Sequence, residues 1–352
     1  MRTVHVVVPE GIDDPSRPSG GNVYDRRISH GLGELGWPVH VHAVPGSWPR
    51  PRLAAYAGLA RVVGEIPDGS LAVLDGLVAS AAAEVLVPEA NRLRLVPLVH
   101  MPLGADAGDD DARVREGAVL AAATSVITTS AWARRTLLEL YPLPDARVHV
   151  AEPGVDVLPL SPGTTSGESL LCVAAVVPGK GQDVLLEALA TMRGLPWRCL
   201  FVGSLDRDRA FAARLASRTS EEGLRGRVRF AGPQTGVHLD RSYESADLLV
   251  LPSRAETYGM VVTEALARGL PVVATDVGGV REALGHGQDG AWPGRLVPPE
   301  DPVSLAGALR VWLRDGGMRD AWRQVARERR ASLSGWSETA SVLAGVLREA
   351  AR

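Results

Sequence analysis

Cysteine is scarce in this chain, and its placement argues against disulfide and zinc chemistry. Cys172 and Cys199 are the only cysteines among the 352 residues, and each stands in an apolar stretch without Cys-x-x-Cys spacing. A disulfide scaffold or a structural zinc site needs more cysteines at closer spacing. The sequence therefore predicts a protein of a reducing compartment, the cytoplasm.

Excess charge and long apolar runs are lacking as well. The formal net charge is −3, which gives no general attraction to nucleic acid or to an anionic membrane. No apolar run approaches the roughly 20 residues of a membrane-spanning helix. The opening MRTVHVVVPEG suits a short buried strand better than a signal peptide. We expect no nucleic-acid partner and at most peripheral membrane contact, for which Arg319–Arg330 offers the basic surface.

What the sequence contains is an alternation of β-rich runs with helical segments, and this predicts an α/β protein with parallel sheets. The strand candidates fall into two groups of six: Thr3–Val8, Val39–Val44, Leu71–Leu74, Leu93–Val99, Ser125–Thr128 and Arg147–Val150, then Leu170–Val177, Trp197–Val202, Val228–Ala231, Leu248–Leu251, Pro271–Ala274 and Arg295–Val297. A chain of this length exceeds one core, so we expect two doubly wound domains.

The domain boundaries follow from composition. We predict a first domain over residues 1–155 and a linker over 156–168, which is rich in Pro, Gly, Ser and Thr. A second domain follows over 169–332. The amphipathic pattern at 333–352 predicts a C-terminal helix that crosses back to the first domain.

The loop after the strand at Leu248–Leu251 has the residues of an anion site. A helical pattern begins near Tyr258, and Gly259 at its start lets the backbone approach a ligand closely. The free N–H groups of Gly259, Met260 and Val261 could bind a diphosphate against the positive end of the helix dipole.

Two glutamates flank this helix start. Glu256 comes just before it, where a carboxylate can accept hydrogen bonds from sugar hydroxyls. Glu264 lies about five residues, or roughly 7 Å, further along the helix. A planar carboxylate there could hold both hydroxyls of a ribose. One helix end, with Tyr258 beside it, would therefore bind sugar, diphosphate and ribose in sequence.

The pair Glu256-x7-Glu264, followed by EALARGLPVVATDVGG, resembles the donor-site signature of family 4 glycosyltransferases. The resemblance implies the GT-B fold, in which two tandem Rossmann-like domains face a cleft. It also implies retaining transfer of a sugar from a nucleotide-diphosphate sugar to a hydroxyl acceptor, with no metal or other cofactor. Either a small molecule or a lipid fits as the acceptor, and the nucleotide base and oligomeric state stay open.

A second donor element, VAAVVPGKG, follows the first strand of the second domain. By resemblance Lys180 is a ligand of the diphosphate, on which its ammonium acts as a point charge. Ala175 stands where the family has an arginine. Arg254 is a candidate replacement, and a structural salt bridge is the equal alternative for it.

The stretch RFAGPQ resembles the family's Phe-x-Gly loop. The resemblance implies that the backbone at Phe230 and Gly232 faces the base. An ordinary strand-to-helix turn explains the same residues equally well.

In the first domain, two features follow strands. Gly20 and Gly21 lie in the loop after the first strand, and the resemblance makes them cleft residues beside the donor phosphate and sugar. His100 directly follows the strand at Leu93–Val99, at the edge where ligands bind in parallel sheets. It resembles the family's histidine that contacts the transferred sugar, and a structural histidine is the alternative.

Acidic residues at helix starts have two interpretations. Asp75 closes a strand and is a candidate acceptor-side residue or a helix cap. Asp109, Asp110 and Asp111 invite comparison with a metal-binding Asp-x-Asp motif, but their place before a helix predicts capping. We therefore predict no metal site.

Two other functions stay open. One is a sugar-nucleotide epimerase on the same architecture. The other is a non-catalytic protein that binds a nucleotide sugar, which the missing arginine at Ala175 would suit.

Overall fold

The computed structural model describes residues 3–105 and 108–352. The chain forms two compact units. The first consists of the chain up to Asp13 together with Ser19–Gly154 and Ser334–Arg352, and the second consists of Asp14–Pro18 and Val155–Leu333.

The first unit contains a parallel sheet in the strand order β2-β1-β3-β4-β5-β6. Its strands are β1 (Val4–Pro9), β2 (Val39–Val44), β3 (Leu71–Asp75), β4 (Arg94–Val99), β5 (Val126–Thr128) and β6 (Val148–Val150). Both faces of β1 are buried, because Val6 and Val8 pack into one apolar cluster and Val7 packs into another. A strand buried on both faces has an unbroken apolar run, which is the signal visible in the sequence.

Helices cover this sheet: α1 (Gly20–Glu34), α2 (Leu53–Gly64), α3 (Gly76–Ala79), α4 (Ala83–Glu89), α5 (Asp110–Ala122), α6 (Ala131–Leu140) and α14 (Trp336–Ala350). The last of these packs on α1, where Leu343 and Leu347 share an apolar cluster with Ile28 and Leu32. The C-terminal helix therefore belongs to the first unit.

The second unit contains a parallel sheet in the order β12-β11-β10-β7-β8-β9. Its strands are β7 (Ser169–Val173), β8 (Arg198–Val202), β9 (Val228–Phe230), β10 (Leu248–Leu251), β11 (Val272–Thr275) and β12 (Gly294–Val297). Its helices are α7 (Gln182–Ala190), α8 (Arg209–Glu221), α9 (Gly236–Glu244), α10 (Met260–Ala267), α11 (Val280–Leu284), α12 (Pro302–Arg314) and α13 (Gly316–Arg330). The order brings β7 and β10 side by side although two strands separate them in sequence.

The structure shortens or divides some predicted elements. The strand predicted over Leu170–Val177 ends at Val173, where the chain leaves the sheet to form a loop. The helix predicted over Leu77–Glu89 is two helices, and the break follows Ser80, whose hydroxyl donates to the buried Glu116 carboxylate at 2.7 Å.

The segment predicted as a linker, 156–168, is bound to the second unit. The Ser161 backbone N–H donates to the Arg268 carbonyl at 2.9 Å. The Thr164 hydroxyl donates to Asp247 Oδ2 at 2.8 Å. Pro, Gly, Ser and Thr here build an ordered turn because their backbone and hydroxyl groups find fixed partners.

Two observations concern membrane contact. Arginines of the predicted basic surface, Arg319–Arg330, bond within the second unit: Arg323 pairs with Asp247 at 3.2 Å and Arg330 donates to the Ala267 carbonyl at 2.7 Å. Within 3–105 and 108–352, no helix has the length and apolarity needed to cross a bilayer.

Candidate active site

In the second unit, the structure joins two residues that the sequence assigned to different parts of a donor. Lys180 Nζ lies 2.7 Å from Glu256 Oε1, and the Ser253 hydroxyl donates to the same oxygen at 2.8 Å. The lysine side chain is 31% exposed and the glutamate side chain 12%. The pair therefore lies at the surface of the unit, where solvent or a ligand can reach the ammonium.

A glycine holds the backbone of Glu256 in place. Gly278 has φ +54°, and a Cβ at this position would lie 1.6 Å from the Glu256 carbonyl oxygen. The next residue, Gly279, donates its N–H to that oxygen at 3.2 Å. The two glycines at the end of the quoted motif thus let the loop after β11 close against the loop that contains Glu256.

The start of α10 is arranged as an anion site requires. Gly259 is the N-cap, with φ +92° and no side chain to bond the first-turn N–H groups. Met260 and Val261 open the helix and are partly exposed. The predicted helix at Tyr258 begins two residues later, because the left-handed Gly259 precedes the first helical turn. Tyr258 itself is buried in the apolar cluster beneath the loop.

Glu264 lies on α10 and is oriented by a residue that the sequence did not identify. The buried Tyr243 hydroxyl donates to Glu264 Oε2 at 2.8 Å. Burial raises the pKa of Glu264, although the Tyr243 hydrogen bond and the Arg268 charge act against it. The guanidinium of Arg268 stacks over the Tyr243 ring at 4.2 Å. This carboxylate is therefore held in one direction before any ligand binds.

Arg254 is fully engaged inside the second unit. Its guanidinium donates to both oxygens of Asp183, at 2.9 and 2.8 Å, and to Glu300 at 3.0 Å. These bonds raise its pKa further above the ordinary value. The structure thus shows the salt bridge of the second interpretation, and a phosphate contact by Arg254 stays a prediction.

The loops after β7 and β8 are bonded together beside Ala175. Ala174 donates its N–H to the Val202 carbonyl and Val176 donates to the Ser204 carbonyl, both at 2.9 Å. Ala175 adds no charge there, and its carbonyl accepts from the Gln182 side chain at 2.9 Å.

At the predicted Phe-x-Gly loop, the Phe230 ring stacks on Phe201 with 5.1 Å between centroids. Its side chain is thereby directed into the core of the second unit. The Gly232 carbonyl accepts from the Gly203 N–H at 2.9 Å. A contact of this backbone with a base stays a prediction.

In the first unit, His100 follows β4 and forms a buried cluster with two aspartates. His100 Nε2 lies 2.8 Å from Asp25 Oδ1 and 3.6 Å from Asp75 Oδ2. The histidine side chain is 15% exposed, against 2% for Asp25 and 4% for Asp75. Gly20 and Gly21, predicted in a loop, are instead the first two residues of α1, because the Ser19 hydroxyl accepts from the Asn22 N–H at 3.1 Å and caps the helix before them. A Cβ on Gly21 would lie 3.4 Å from the imidazole.

The charges within this cluster shift the pKa values of its members. Burial alone would lower the pKa of His100, but the Asp25 charge and hydrogen bond outweigh it and raise the pKa. Burial and then the Asp25 carboxylate raise the pKa of Asp75 to about 7. Asp75 is also the N-cap of α3, because its Oδ1 accepts from the Leu77 N–H at 2.8 Å.

Asp25 belongs to this cluster although the sequence did not mark it as a candidate. It lies inside α1, on the helix that Gly20 and Gly21 begin, and follows no strand end. A signal for it exists, because Asp25, Ile28 and Leu32 have the spacing of one helix face, and the two apolar members are fully buried. An acid on such a face needs a buried partner.

Two acidic groups bear on metal binding. Asp109 Oδ1 accepts from the Ala112 N–H at 2.9 Å, so this aspartate caps α5 with Asp110 and Asp111 in its first turn. In the described part of the chain, Asp25, Asp75 and His100 form the one group of three or more acidic, histidine or cysteine residues whose ligand atoms all lie within 4.8 Å of one another. Its members are already joined by a direct ion pair.

Comparison with known proteins gives two kinds of likeness. Residues 164–329 match the family model of glycosyl transferases group 1. D-inositol 3-phosphate glycosyltransferase 1 of Catenulispora acidiphila is 32% identical over 346 residues, which cover 88% of this chain and 80% of that protein. D-inositol 3-phosphate glycosyltransferase of Jonesia denitrificans is 31% identical over 263 residues, 68% of this chain and 61% of that protein.

Solved structures resemble the whole chain. Sucrose-phosphate synthase from Thermosynechococcus elongatus superposes with a TM-score of 0.82 at 22% identity, covering 99% of both chains. Anabaena HepE in complex with UDP and glucose superposes with a TM-score of 0.75 at 19% identity, covering 99% of this chain and 100% of that one. This likeness confirms the predicted GT-B fold of two tandem Rossmann-like α/β domains.

Proposed function

We propose that this chain, which belongs to the group 1 glycosyltransferases, moves a sugar from a nucleotide-diphosphate sugar to a hydroxyl acceptor with retention at the anomeric carbon and without a metal. The observation that carries the proposal is the Lys180–Glu256 pair beside the uncapped start of α10. It brings together a cation for the diphosphate, a carboxylate for the sugar and free backbone donors. Anabaena HepE, which has the same fold, has been solved in complex with UDP and glucose, with UDP and with UDP-glucose, and this supports a nucleotide-sugar donor.

Donor binding would exchange partners within this pair. Without a donor, Lys180 and Glu256 neutralise each other at 2.7 Å. A partly exposed ion pair contributes little stability, so a diphosphate can draw the ammonium away at small cost. Glu256 is then free to accept hydrogen bonds from the sugar. Glu264, which Tyr243 already orients, would bind the ribose.

The transfer step would rely on leaving-group stabilisation. Charge develops on the diphosphate as the bond from the anomeric carbon to oxygen breaks. Lys180 and the N–H groups of Met260 and Val261 supply fixed positive charge for it. The acceptor hydroxyl attacks from the same face, and the departing phosphate oxygen takes its proton. His100 would contact the transferred sugar.

A small polyol phosphate is the first acceptor to test. The two relatives described above, at 32% and 31% identity, are named for D-inositol 3-phosphate. A lipid hydroxyl is the second acceptor class.

The deciding experiment has two stages. First, UDP, GDP and ADP are screened by thermal shift, because a specific ligand raises the melting temperature by mass action. Next, the matching sugar nucleotide is incubated with inositol phosphate in excess EDTA, and the product anomer is assigned by NMR. We expect one nucleotide to stabilise the protein and a product with the donor's anomeric configuration.

Each other result rejects a stated part of the proposal. Stabilisation by no nucleoside diphosphate rejects the donor site. An inverted product rejects retention, and loss of activity in EDTA rejects metal independence. An altered nucleotide sugar without glycoside identifies an epimerase. Donor binding with neither transfer nor hydrolysis identifies a non-catalytic protein, which Ala175 would suit.

A further inference from the structure

We propose that Asp25, on the buried face of α1, is the positioning residue of His100: it fixes the hydrogen on Nε2 and leaves Nδ1 as the ring nitrogen available to the transferred sugar. This inference rests on the proposed function and deepens it. It assigns a role to a residue outside every motif in the sequence.

The burial of Asp25 calls for a specific reason. The residue is 2% exposed and lies one position after Tyr24, which is fully buried. A carboxylate in such a place is costly unless a partner compensates it. Oδ1 has that partner in His100 Nε2 at 2.8 Å, whereas Oδ2 has no hydrogen bond from the described residues. The imidazole is thus the direct ionic partner of this acid.

The imidazole is fixed by α1 on more than one side. Gly21 approaches its Cδ2 edge so closely that a Cβ would touch it at 3.4 Å. The Tyr24 ring meets it edge-on, with 5.2 Å between centroids. Tyr24 is itself anchored, because its hydroxyl donates to the Ala151 carbonyl at 2.8 Å. With Nε2 bound to Asp25, the ring has one remaining polar atom, Nδ1.

The charged groups around His100 set its protonation. Asp25 faces it from α1 and Asp75 from the end of β3, while Tyr24 presents a phenol whose burial raises its pKa. The two aspartates raise the pKa of His100 against the effect of burial. Burial and then the Asp25 carboxylate raise the pKa of Asp75 to about 7, so this residue can hold a proton near neutrality. The raised pKa of His100 favours the imidazolium form, in which Nδ1–H is a donor to a sugar oxygen.

Asp25→Asn separates this role from simple packing. The amide oxygen can still accept from Nε2, but the negative charge is gone. We expect the His100 titration, followed by NMR of protein with ¹⁵N-labelled histidine, to move down by about one pH unit or more while Nε2 keeps its hydrogen. The signal is assigned from its loss in His100→Gln. Since the imidazolium is the active form, turnover of UDP-glucose, or of the sugar nucleotide selected by the screen, should decline at correspondingly lower pH.

Glu116→Gln is the matched control. Glu116 is a fully buried acid of the same unit, bonded to Ser80 and Tyr141 at 2.7 Å each. This variant should lower the melting temperature without moving the His100 titration. An unchanged titration in Asp25→Asn, or an equal shift in Glu116→Gln, overturns the proposal. The NMR measurement needs no donor, so failure of the proposed function is seen separately as absence of transfer.

Discussion

Each unit brings a cation to a carboxylate beyond the end of a parallel strand, and the two pairs differ in burial. Lys180 and Glu256 lie 2.7 Å apart with side chains 31% and 12% exposed. His100 and Asp25 lie 2.8 Å apart at 15% and 2%. The two ion pairs are therefore nearly equal in length but differ in how far solvent can reach them.

The difference in exposure suits the two pairs to different functions. A partly exposed pair such as Lys180 and Glu256 can exchange its partner for a ligand, because water reaches the ammonium and compensates its charge as the pair opens. A buried pair cannot open cheaply, since each charge would be left unpaired in an apolar surrounding. The first arrangement suits binding and release of a donor. The second suits holding one side chain in one state.

Removing the carboxylate from each pair should reveal the largest difference between the two pairs, in the free energy of unfolding. Asp25→Ala should lower the free energy of unfolding by about 3 kcal/mol, because it leaves His100 without its buried partner. Glu256→Ala should lower it by less than about 1 kcal/mol. Urea unfolding of both variants measures the difference. Equal losses would show that burial does not distinguish the pairs.

Turnover should respond to both regions despite that difference. Glu256→Ala and His100→Ala should each lower kcat by more than about tenfold, because each removes a contact to the transferred sugar, at about 1.4 kcal/mol per tenfold. Circular dichroism confirms that the variants fold. A near-normal rate in either folded variant removes that residue from the site.

Lys180→Ala sharpens the description of the exposed pair. The nucleoside diphosphate that stabilises the wild type should bind about tenfold more weakly, a loss of about 1.4 kcal/mol, because the point charge for the diphosphate is gone. Isothermal titration calorimetry gives the dissociation constant. Arg209→Ala is the control, since Arg209 pairs with Asp206 at the surface of the same unit. Unchanged affinity in Lys180→Ala contradicts the diphosphate contact.

The last comparison is the pH dependence of stability, which belongs to the buried cluster. Asp75 has a raised pKa of about 7, so its contribution to stability is present below its unfolded pKa of about 3.9 and is lost as the pH rises through the folded value. His100, also raised, loses its contribution above its unfolded pKa of about 6.5. Unfolding should therefore become easier from pH 5 to pH 8.

Asp75→Asn isolates the aspartate in that trend. The amide oxygen can still cap α3, while the titrating proton is removed. By calorimetry the stability of the variant relative to the wild type should rise from pH 5 to pH 8, because the wild type loses the contribution of Asp75 over that range. Parallel curves for the two proteins would exclude Asp75 as a titrating group in this range.

The fold could largely be predicted because its central strands, such as β1, β3 and β10, are buried on both faces. Runs such as Leu248–Leu251 stand out in the sequence, and all twelve predicted strands are present in the described residues. Lys180, Glu256 and His100 could be named as candidates because they follow strands or precede a helix, and Glu264 because it completes the glutamate motif. The observed helix and strand ends differ from the predicted ones where a local feature sets the boundary. The left-handed Gly259, for example, places the start of α10 at Met260.

The pairing of side chains was not readable, because it depends on strand order. Lys180 and Glu256 are 76 residues apart and meet because β7 lies beside β10. Asp25, Asp75 and His100 meet because β1, β3 and β4 are neighbours in the other sheet. A sequence motif identifies one strand end at a time. Which strand ends lie together in one site depends on the order of the strands in the sheet.

The C-terminal helix α14 packs in the first unit although it follows the second unit in sequence, and this has a consequence for synthesis on the ribosome. Leu343 and Leu347 complete the apolar cluster that contains Ile28 and Leu32. Nearly all of the second unit, Val155–Leu333, is translated between those two groups. The second unit can therefore finish folding while the first still lacks a helix. The nascent first unit therefore leaves an apolar face uncovered until α14 has been made, and such a face promotes aggregation during that time.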